Sequence, residues 1–481
     1  MMAKQIDKRL VHAMQAIAAG QSAQAEDLCR SVLAERKRDD LAMAILAQAC
    51  NNSGKYDEAM QCIRNAIAKN NKRADYHGLL ADMLTTQGDF RGALGAYDKA
   101  LKLNPNHHGV IAGKANTWLR LNEPKKAIKL VEQIVKKGGE DLTISIVYAK
   151  ALIEIDDPEG ATNILLTRLP AKQEPIETRR TLYFVLGKAM ERVGEFKSAF
   201  EAYEEGNKLS TGDFDLDACV RGHDDIIKLF PTDSFDSMPT SINQDTSRVF
   251  IVGMLRSGST LTEQIIDAHP SGRGLGELET LPRLLNKTFG SEPLSTGWLK
   301  LSVEQLDAIA SEYLLETTCK TNEKVLVDKQ LGNYQFVGVI KKLFPNAKII
   351  HCSRNPLSMG VSCFSQKLPP NTNPWASNLH SIGHFYNEYM RMMRHWEACL
   401  GNGILEVSYE ELVSNQEQVT TKILEFCGLE FNTKCMEFWK TGRTVLTLSQ
   451  DQVRKPMYDS SITRHERFGA LLEPLKESLG L

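Results

Sequence analysis

The sequence lacks an apolar run of membrane-spanning length, so no transmembrane helix is expected. Its first ten residues are charged and contain no continuous apolar core, so no signal peptide is expected either. An excess of one charge is also missing, because 58 Lys and Arg stand against 60 Asp and Glu. This balance of charges does not indicate a nucleic-acid partner. The ten cysteines form no Cys-x-x-Cys pair, which is typical of reduced and mostly buried thiols. Together these absences predict a cytoplasmic protein.

The first half of the chain repeats with a period of 34 residues. Alanine recurs at this spacing at Ala25, Ala59, Ala93, Ala127 and Ala161, and Ala199 follows after 38 residues. Five positions before each alanine lies a residue that tolerates the left-handed backbone of a tight turn, namely Gly20, Gly54, Gly88, Asn122, Asp156 or Gly194. This pattern resembles tetratricopeptide repeats, whose helix pairs stack into a solenoid. We predict about six units over residues 6–213.

The repeat pattern does not identify what the repeats bind. The concave face of such a solenoid can hold a peptide or a protein partner, but a spacer or an arm for a homodimer is the alternative. After the repeats, two prolines and many Ser, Thr, Asp and Asn residues over 230–246 are typical of a linker. We assign residues 214–246 to this linker and residues 247–481 to a second domain.

Short apolar strands alternate with helical segments in the second domain. The predicted strands cover residues 249–252, 324–327, 348–352 and 404–407. This alternation indicates a parallel sheet with helices on both faces, in which ligands bind beyond the carboxyl ends of the strands. Four residues with polar side chains come just after predicted strand ends: Arg256, Lys329, Arg354 and Tyr409. We therefore expect them to converge on one cleft.

The turn after the first strand has the composition of a phosphate loop. The strand 249–252 leads into a turn with Gly253 and Gly258, and helical periodicity follows. Such a turn directs backbone N–H groups and the positive end of a helix at one point, which suits a phosphate. In the P-loop of ATPases a lysine follows the second glycine, but here Ser259 has that position. The cation is Arg256, inside the loop.

Several motifs of the second domain resemble those of sulfotransferases. The loop 253–261 looks like their 5′-phosphosulfate loop, although Leu255 and Ser259 replace the usual Pro and first Thr. Arg354, with Ser362 eight residues later, looks like their 3′-phosphate site. The segments 267–270, 276–277, 328–329, 344–346 and 451–456 are similar to protein-tyrosine sulfotransferases. The chain thus resembles a tetratricopeptide-repeat sulfotransferase: an α-solenoid followed by a P-loop-like α/β domain with a parallel sheet.

The resemblance implies a donor and a set of site residues. The donor is 3′-phosphoadenosine 5′-phosphosulfate, and no metal is expected, since the transferred SO₃ carries a single negative charge. Three residues would be catalytic: Glu277 as the base, Lys329 over the sulfuryl group, and Arg256 against charge on the leaving oxygens. The donor would be bound by Arg256, Ser257, Gly258, Ser259, Thr260, Arg354, Ser362, Tyr409 and Lys455.

Sulfuryl transfer to an acceptor hydroxyl is therefore the favoured function, with a peptide tyrosine as the best single acceptor. A sugar, lipid or small-metabolite hydroxyl remains open. One alternative is a P-loop kinase with a degenerate loop, which would bind ATP only with Mg²⁺. Another is a scaffold in which the repeats bind a partner and the second domain has no catalytic role.

Overall fold

The computed structural model describes residues 6–137, 141–318, 323–440, 456–457 and 461–481. The chain divides into two compact units, Met1–Glu195 and Phe196–Leu481. In the described part of the chain, no helix combines the length and the apolar character needed to cross a membrane.

The first unit is built from antiparallel helix pairs. Its helices are α1 Lys8–Ala18, α2 Ser22–Glu35, α3 Asp40–Asn52, α4 Tyr56–Lys69, α5 Ala74–Thr86, α6 Phe90–Leu103, α7 His108–Arg120, α8 Pro124–Lys136, α9 Leu142–Glu154, α10 Pro158–Leu166 and α11 Ile176–Val193. The repeating alanines of this unit are fully buried, because only a methyl group fits where the paired helices approach closely. The solenoid of helix pairs predicted from the sequence is confirmed.

The turns at these six predicted positions have the left-handed backbone that the sequence predicts. The φ angles are +75° at Gly20, +74° at Gly54, +82° at Gly88, +58° at Asn122, +65° at Asp156 and +97° at Gly194. Asn and Asp are the non-glycine residues that adopt this conformation at the lowest cost, which explains their use at two of the six turns.

The second unit combines a five-stranded sheet with helices. The strands are β1 Arg248–Gly253, β2 Gly272–Gly276, β3 Val325–Asp328, β4 Lys348–Ser353 and β5 Ile404–Ser408. The helices are α12 Phe196–Lys208, α13 Leu216–Leu229, α14 Ser259–Asp267, α15 Thr280–Phe289, α16 Leu294–Gly297, α17 Val303–Glu316, α18 Val337–Leu343, α19 Pro356–Phe364, α20 Leu379–Leu400, α21 Tyr409–Ser414 and α22 Gln416–Cys427, with a last helix at Glu473–Leu479.

The sheet is parallel throughout and has the strand order β2-β3-β1-β4-β5. Strand β1 lies at its centre, and all six of its residues are buried. Gly253 pairs with Cys352 of β4, so β1 and β4 end side by side, whereas β3 ends at Asp328, opposite Phe250 of β1. All carboxyl ends share one edge, as expected for a ligand-binding edge. The predicted parallel α/β fold is confirmed.

Three observations refine the element boundaries. The edge strand β2, with sequence Gly-Arg-Gly-Leu-Gly, lies outside the four predicted strands. Helix α12 carries Ala199 of the sixth predicted repeat but belongs to the second compact unit. Helix α13 occupies much of the predicted linker. The domain limits 6–213, 214–246 and 247–481 stay predictions.

Candidate functional site

The loop between β1 and α14 is shaped by close backbone packing. A Cβ atom at Gly253 would lie 2.7 Å from the carbonyl oxygen of Cys352 and 2.8 Å from Oγ of Ser257. Gly258 has φ +93° and immediately precedes α14, where a Cβ atom would lie 2.7 Å from Cδ2 of Tyr409. Only glycine fits both positions, so the chain turns tightly from the strand into the helix. The amino end of α14, including buried Ser259 and Thr260, therefore opens directly on the loop.

Two buried polar atoms at this edge of the sheet have no hydrogen-bond partner among the residues that the structure describes. They are Oγ of Ser257 in the loop and Nε of Arg354 after β4, on side chains that are almost wholly buried. Leaving a buried polar atom unpaired costs about 1–3 kcal/mol, so such atoms are uncommon unless a ligand completes them. A hydroxyl and a guanidinium N–H are both donors suited to an anion. These two orphaned atoms fit a phosphate-bearing ligand.

The two predicted arginines meet through the backbone of the loop. Nη1 of Arg354 donates to the carbonyl oxygen of Arg256 over 2.9 Å, and Nε of Arg256 donates to Oγ of Ser362 over 3.0 Å. Arg256 has φ +70°, which directs its carbonyl and its side chain to these partners. The structure thus brings together residues from the β1 loop, the turn after β4 and helix α19.

Tyr409 lies against Arg354. The guanidinium carbon of Arg354 is 4.5 Å from the centre of the Tyr409 ring, an attractive cation–π geometry. Arg354 is almost wholly buried, and this burial lowers the pKa of its guanidinium group. Ser461 completes the group: its carbonyl oxygen accepts from Nη2 of Arg354 over 2.7 Å, and its hydroxyl lies 2.7 Å from the Tyr409 hydroxyl.

Glu277 and Lys329 form an ion pair on the other side of β1. Nζ of Lys329 donates to Oε1 of Glu277. The Lys329 side chain is 0% exposed, whereas that of Glu277 is 48% exposed. Lys329 follows β3 and Glu277 follows β2, so the edge strand that the sequence did not reveal is what places the carboxylate. The pair therefore presents a carboxylate to solvent above a buried ammonium group.

The predicted site residues that the structure describes lie at the carboxyl edge of one sheet. They form two groups: the arginine group of Arg256, Ser257, Gly258, Ser259, Thr260, Arg354, Ser362 and Tyr409, and the pair Glu277–Lys329. Lys455 lies outside the described residues. Sequence reasoning missed Ser461, which follows no strand and belongs to no quoted motif.

Over the ranges that the structure describes, no group of three or more His, Cys, Asp and Glu side chains is arranged to hold a metal ion.

Comparisons with known proteins agree with this architecture. The sulfotransferase family profile matches residues 248–433, and the tetratricopeptide repeat profile matches residues 16–83 and 84–143. An uncharacterised protein of Aquifex aeolicus is 30% identical over 420 residues, which cover 84% of this chain and 54% of that protein. The chain thus spans about half the length of this relative.

Two further proteins are similar to about half of this chain. Protein-tyrosine sulfotransferase 1 of Danio rerio is 26% identical over 276 residues, covering 51% of this chain and 75% of that protein. The sulfotransferase domain of the olefin synthase of Synechococcus PCC 7002 has a TM-score of 0.38 and 20% identity, covering 50% of this chain and 96% of that domain.

Proposed function

We propose that this chain, whose residues 248–433 belong to the sulfotransferase family, transfers a sulfuryl group from 3′-phosphoadenosine 5′-phosphosulfate to an acceptor hydroxyl. The observation that carries the proposal is the arginine group. The two arginines lie on separate strand-end turns, and the Arg354 guanidinium donates to the carbonyl of Arg256. The buried Ser257 hydroxyl in the same loop has no hydrogen-bond partner among the described residues.

The donor has two anionic ends, and the site offers a place for each. The residues from Arg256 to Thr260 would bind the 5′-phosphosulfate at the amino end of α14. Arg354 and Ser362 would bind the 3′-phosphate, the former through its Nε, which has no partner among the described residues. Tyr409 would act through Arg354, which it stacks against and so holds in place. The role of Lys455 at the 5′-phosphate stays a prediction.

The chemical step follows from the Glu277–Lys329 pair. The carboxylate of Glu277 takes the proton of the acceptor hydroxyl as the oxygen attacks sulfur in line. The bond from sulfur to the bridging oxygen breaks, and the electron pair stays on the leaving phosphate. Lys329 and Arg256 stabilise the charge that develops there. In this proposal the half-exposed Glu277 faces the acceptor and the buried Lys329 faces the donor.

A peptide tyrosine is the acceptor that we propose. The support is the likeness to protein-tyrosine sulfotransferases and a row of helix pairs of the repeat class, which bind peptides in many proteins. The repeats would then present a peptide or protein acceptor. A homodimer and a cytoplasmic location stay predictions.

Binding of the donor product tests the first part of the proposal. Isothermal titration with adenosine 3′,5′-bisphosphate in EDTA should show one site per chain, and ATP with Mg²⁺ should bind weakly or not at all. Binding of ATP that requires Mg²⁺, together with no binding of the bisphosphate, would establish the kinase alternative instead.

Turnover tests the second part. A library of tyrosine peptides, sugars and lipids is incubated with the donor, and the acceptor is recognised by its gain of one SO₃ in mass. Glu277→Gln and Lys329→Met should each lower kcat by about a hundredfold or more, with bisphosphate affinity little changed for Glu277→Gln. Glu312→Gln is the matched control, because Glu312 pairs with Lys287 on the surface of the same unit, at 2.6 Å. Bisphosphate binding without any turnover would favour the scaffold alternative.

A further inference from the structure

The carboxylate of Asp328 receives hydrogen bonds from several elements of the second unit. Asp328 is the last residue of β3 and is 2% exposed. Its Oδ2 accepts from the Tyr313 hydroxyl of α17 over 2.8 Å and lies 3.4 Å from Nδ2 of Asn333. Its Oδ1 accepts from the backbone N–H of Gln330 over 3.0 Å. The backbone N–H of Leu278 also faces this carboxylate and lowers its pKa. One buried acid therefore joins the segment after β2 to the segment after β3.

The backbone is held on both sides of Glu277. Before it, the N–H of Gly276 donates to Oε1 of Glu263 over 2.8 Å, and the carbonyl of Gly276 accepts from the N–H of Lys329 over 2.9 Å. After it, the N–H of Leu278 faces the carboxylate of Asp328. Glu277 itself makes its side-chain contact with Lys329. The exposed carboxylate thus stands on a backbone that is fixed at the preceding and at the following residue.

We propose that Asp328 is a positioning residue that sets the distance between the Glu277 carboxylate and the Lys329 ammonium group. The proposal rests on the proposed function, since it assigns Asp328 a role in that same chemistry. The carboxylate of Asp328 accepts from the N–H of Gln330, the residue after Lys329. It also faces the N–H of Leu278, the residue after Glu277. Positioning matters because a displacement of about 1 Å in a reacting group can cost about a hundredfold in rate.

The donors around Asp328 require it to be ionised. A carboxylate accepts from all four donors, whereas the protonated acid presents an O–H to one of them. Burial raises the pKa of Asp328 to about 7, against the lowering effect of its hydrogen bonds, foremost that from Tyr313. The other charged or titratable groups facing this cluster are Arg248 of β1, which lies over the Tyr313 ring, the Glu277–Lys329 pair and Glu263.

The expected pH dependence follows. As the pH falls through about 7, Asp328 takes up a proton, the bonds to Leu278 and Gln330 weaken, and kcat should decline. Without the Tyr313 hydroxyl the carboxylate loses a donor, so its pKa rises further. The acidic limb of the kcat profile should then move to higher pH.

The experiment combines hydrogen exchange with kinetics on the full chain. In Asp328→Asn, the amide groups of Leu278 and Gln330 should exchange about tenfold faster or more, because an amide N–H₂ replaces one acceptor oxygen. Its kcat should fall about a hundredfold, with bisphosphate affinity unchanged within about twofold. In Tyr313→Phe, the plateau kcat should stay near that of the wild type while the acidic limb moves to higher pH.

Two matched controls separate positioning from loss of stability. Asp307→Asn removes a carboxylate of α17 that accepts from the N–H of Ile242 over 2.9 Å, away from Glu277. Tyr97→Phe removes a buried tyrosine hydroxyl that donates to Asp82 in the first unit. Neither should alter exchange at Leu278 and Gln330 or shift the kcat profile.

Each outcome decides a different point. Unchanged exchange at Leu278 and Gln330 in Asp328→Asn, or an acidic limb that stays in place in Tyr313→Phe, would overturn the inference. If Asp328→Asn does not fold by circular dichroism, Tyr313→Phe decides through its exchange and its pH profile. If the wild type transfers no sulfuryl group while exchange changes as expected, the proposed function fails and the structural role of Asp328 stands.

Discussion

Two left-handed residues, separated by Ser257, give the loop between β1 and α14 its shape. Arg256 and Gly258 have φ angles of +70° and +93°. For Arg256 this conformation costs about 1–2 kcal/mol, since its Cβ crowds the following carbonyl. In return, its carbonyl accepts from Arg354 and its side chain reaches Ser362. Backbone strain at a non-glycine residue, held by contacts with two other elements, is typical of a preorganised binding loop.

A substitution at Gly258 separates strain from crowding. Gly258→Ala combines a left-handed alanine with a Cβ atom 2.7 Å from the Tyr409 ring, whereas Gly194→Ala has a similar φ with no atom within 4 Å. We expect Gly194→Ala to lower the free energy of unfolding by about 1–2 kcal/mol. Gly258→Ala should lower the free energy of unfolding by about 1–3 kcal/mol more than Gly194→Ala does. It should also bind bisphosphate more weakly, because the Tyr409 ring that supports Arg354 must move.

Urea unfolding and isothermal titration measure the two quantities for both variants. Equal losses of stability, with bisphosphate affinity intact in Gly258→Ala, would show that the contact with Tyr409 has no part in binding.

At the scale of elements, helix α19 positions Ser362 through its amino-terminal cap. Oδ1 of Asn355 accepts from the N–H groups of Leu357 and Ser358, each over 3.0 Å. Pro356 follows as the first helical residue, where its missing N–H is not needed. The cap fixes where α19 begins, and therefore where Ser362 stands opposite Arg256.

Removal of this cap should affect stability and binding together. Asn355→Ala is expected to lower the free energy of unfolding by about 1 kcal/mol and to weaken bisphosphate binding severalfold. Asn378→Ala is the control, because Asn378 caps α20 in the same way, through the N–H groups of His380 and Ser381. Asn378→Ala should lower the free energy of unfolding by a similar amount without changing bisphosphate affinity. Urea unfolding and isothermal titration measure the two quantities. A similar loss of affinity in both variants would contradict a specific role for the α19 cap.

The sequence predicted most elements of the sheet but missed β2. Strands β1, β3 and β4 are largely buried apolar runs, which is the pattern of strands buried on both faces, and β5 still has an apolar start at Ile404 and Leu405. Strand β2 has three glycines in five residues and lies at the edge, so neither its composition nor its periodicity indicates a strand. It forms because its backbone pairs with β3, a long-range contact that a local pattern does not contain.

At the scale of the whole molecule, the buried core of the second unit makes stability depend on pH. His351 of β4 is fully buried, and its Nε2 lies 2.6 Å from the Tyr389 hydroxyl of α20. Burial lowers the pKa of His351 to about 4. The folded protein therefore keeps this imidazole neutral at pH values where the unfolded chain, with a pKa of about 6.5, takes up a proton.

The sign of the effect follows from proton binding. As the pH falls below about 6.5, the unfolded state binds a proton that the folded state does not bind, so stability decreases until the pH reaches about 4. Over this range, the proton uptake of His351 should lower the free energy of unfolding by about 3 kcal/mol. His351→Gln, which can still bond to Tyr389, should be less stable at pH 7 but should lose less stability on acidification. Urea unfolding at pH 7 and pH 4.5 tests this, and parallel curves for the two proteins would contradict it.

The sequence by itself determined the repeat of helix pairs, the loop around Gly253 and Gly258, and the placement of Arg256, Lys329, Arg354 and Tyr409 after strands. These features are local, because turn chemistry and apolar periodicity are properties of neighbouring residues. Only the tertiary structure decided that Arg354 bonds to the carbonyl of Arg256, that Ser461 joins this group, and that Asp328 holds the segments of Glu277 and Lys329. Strand order and burial bring these distant residues together, and no local pattern encodes either.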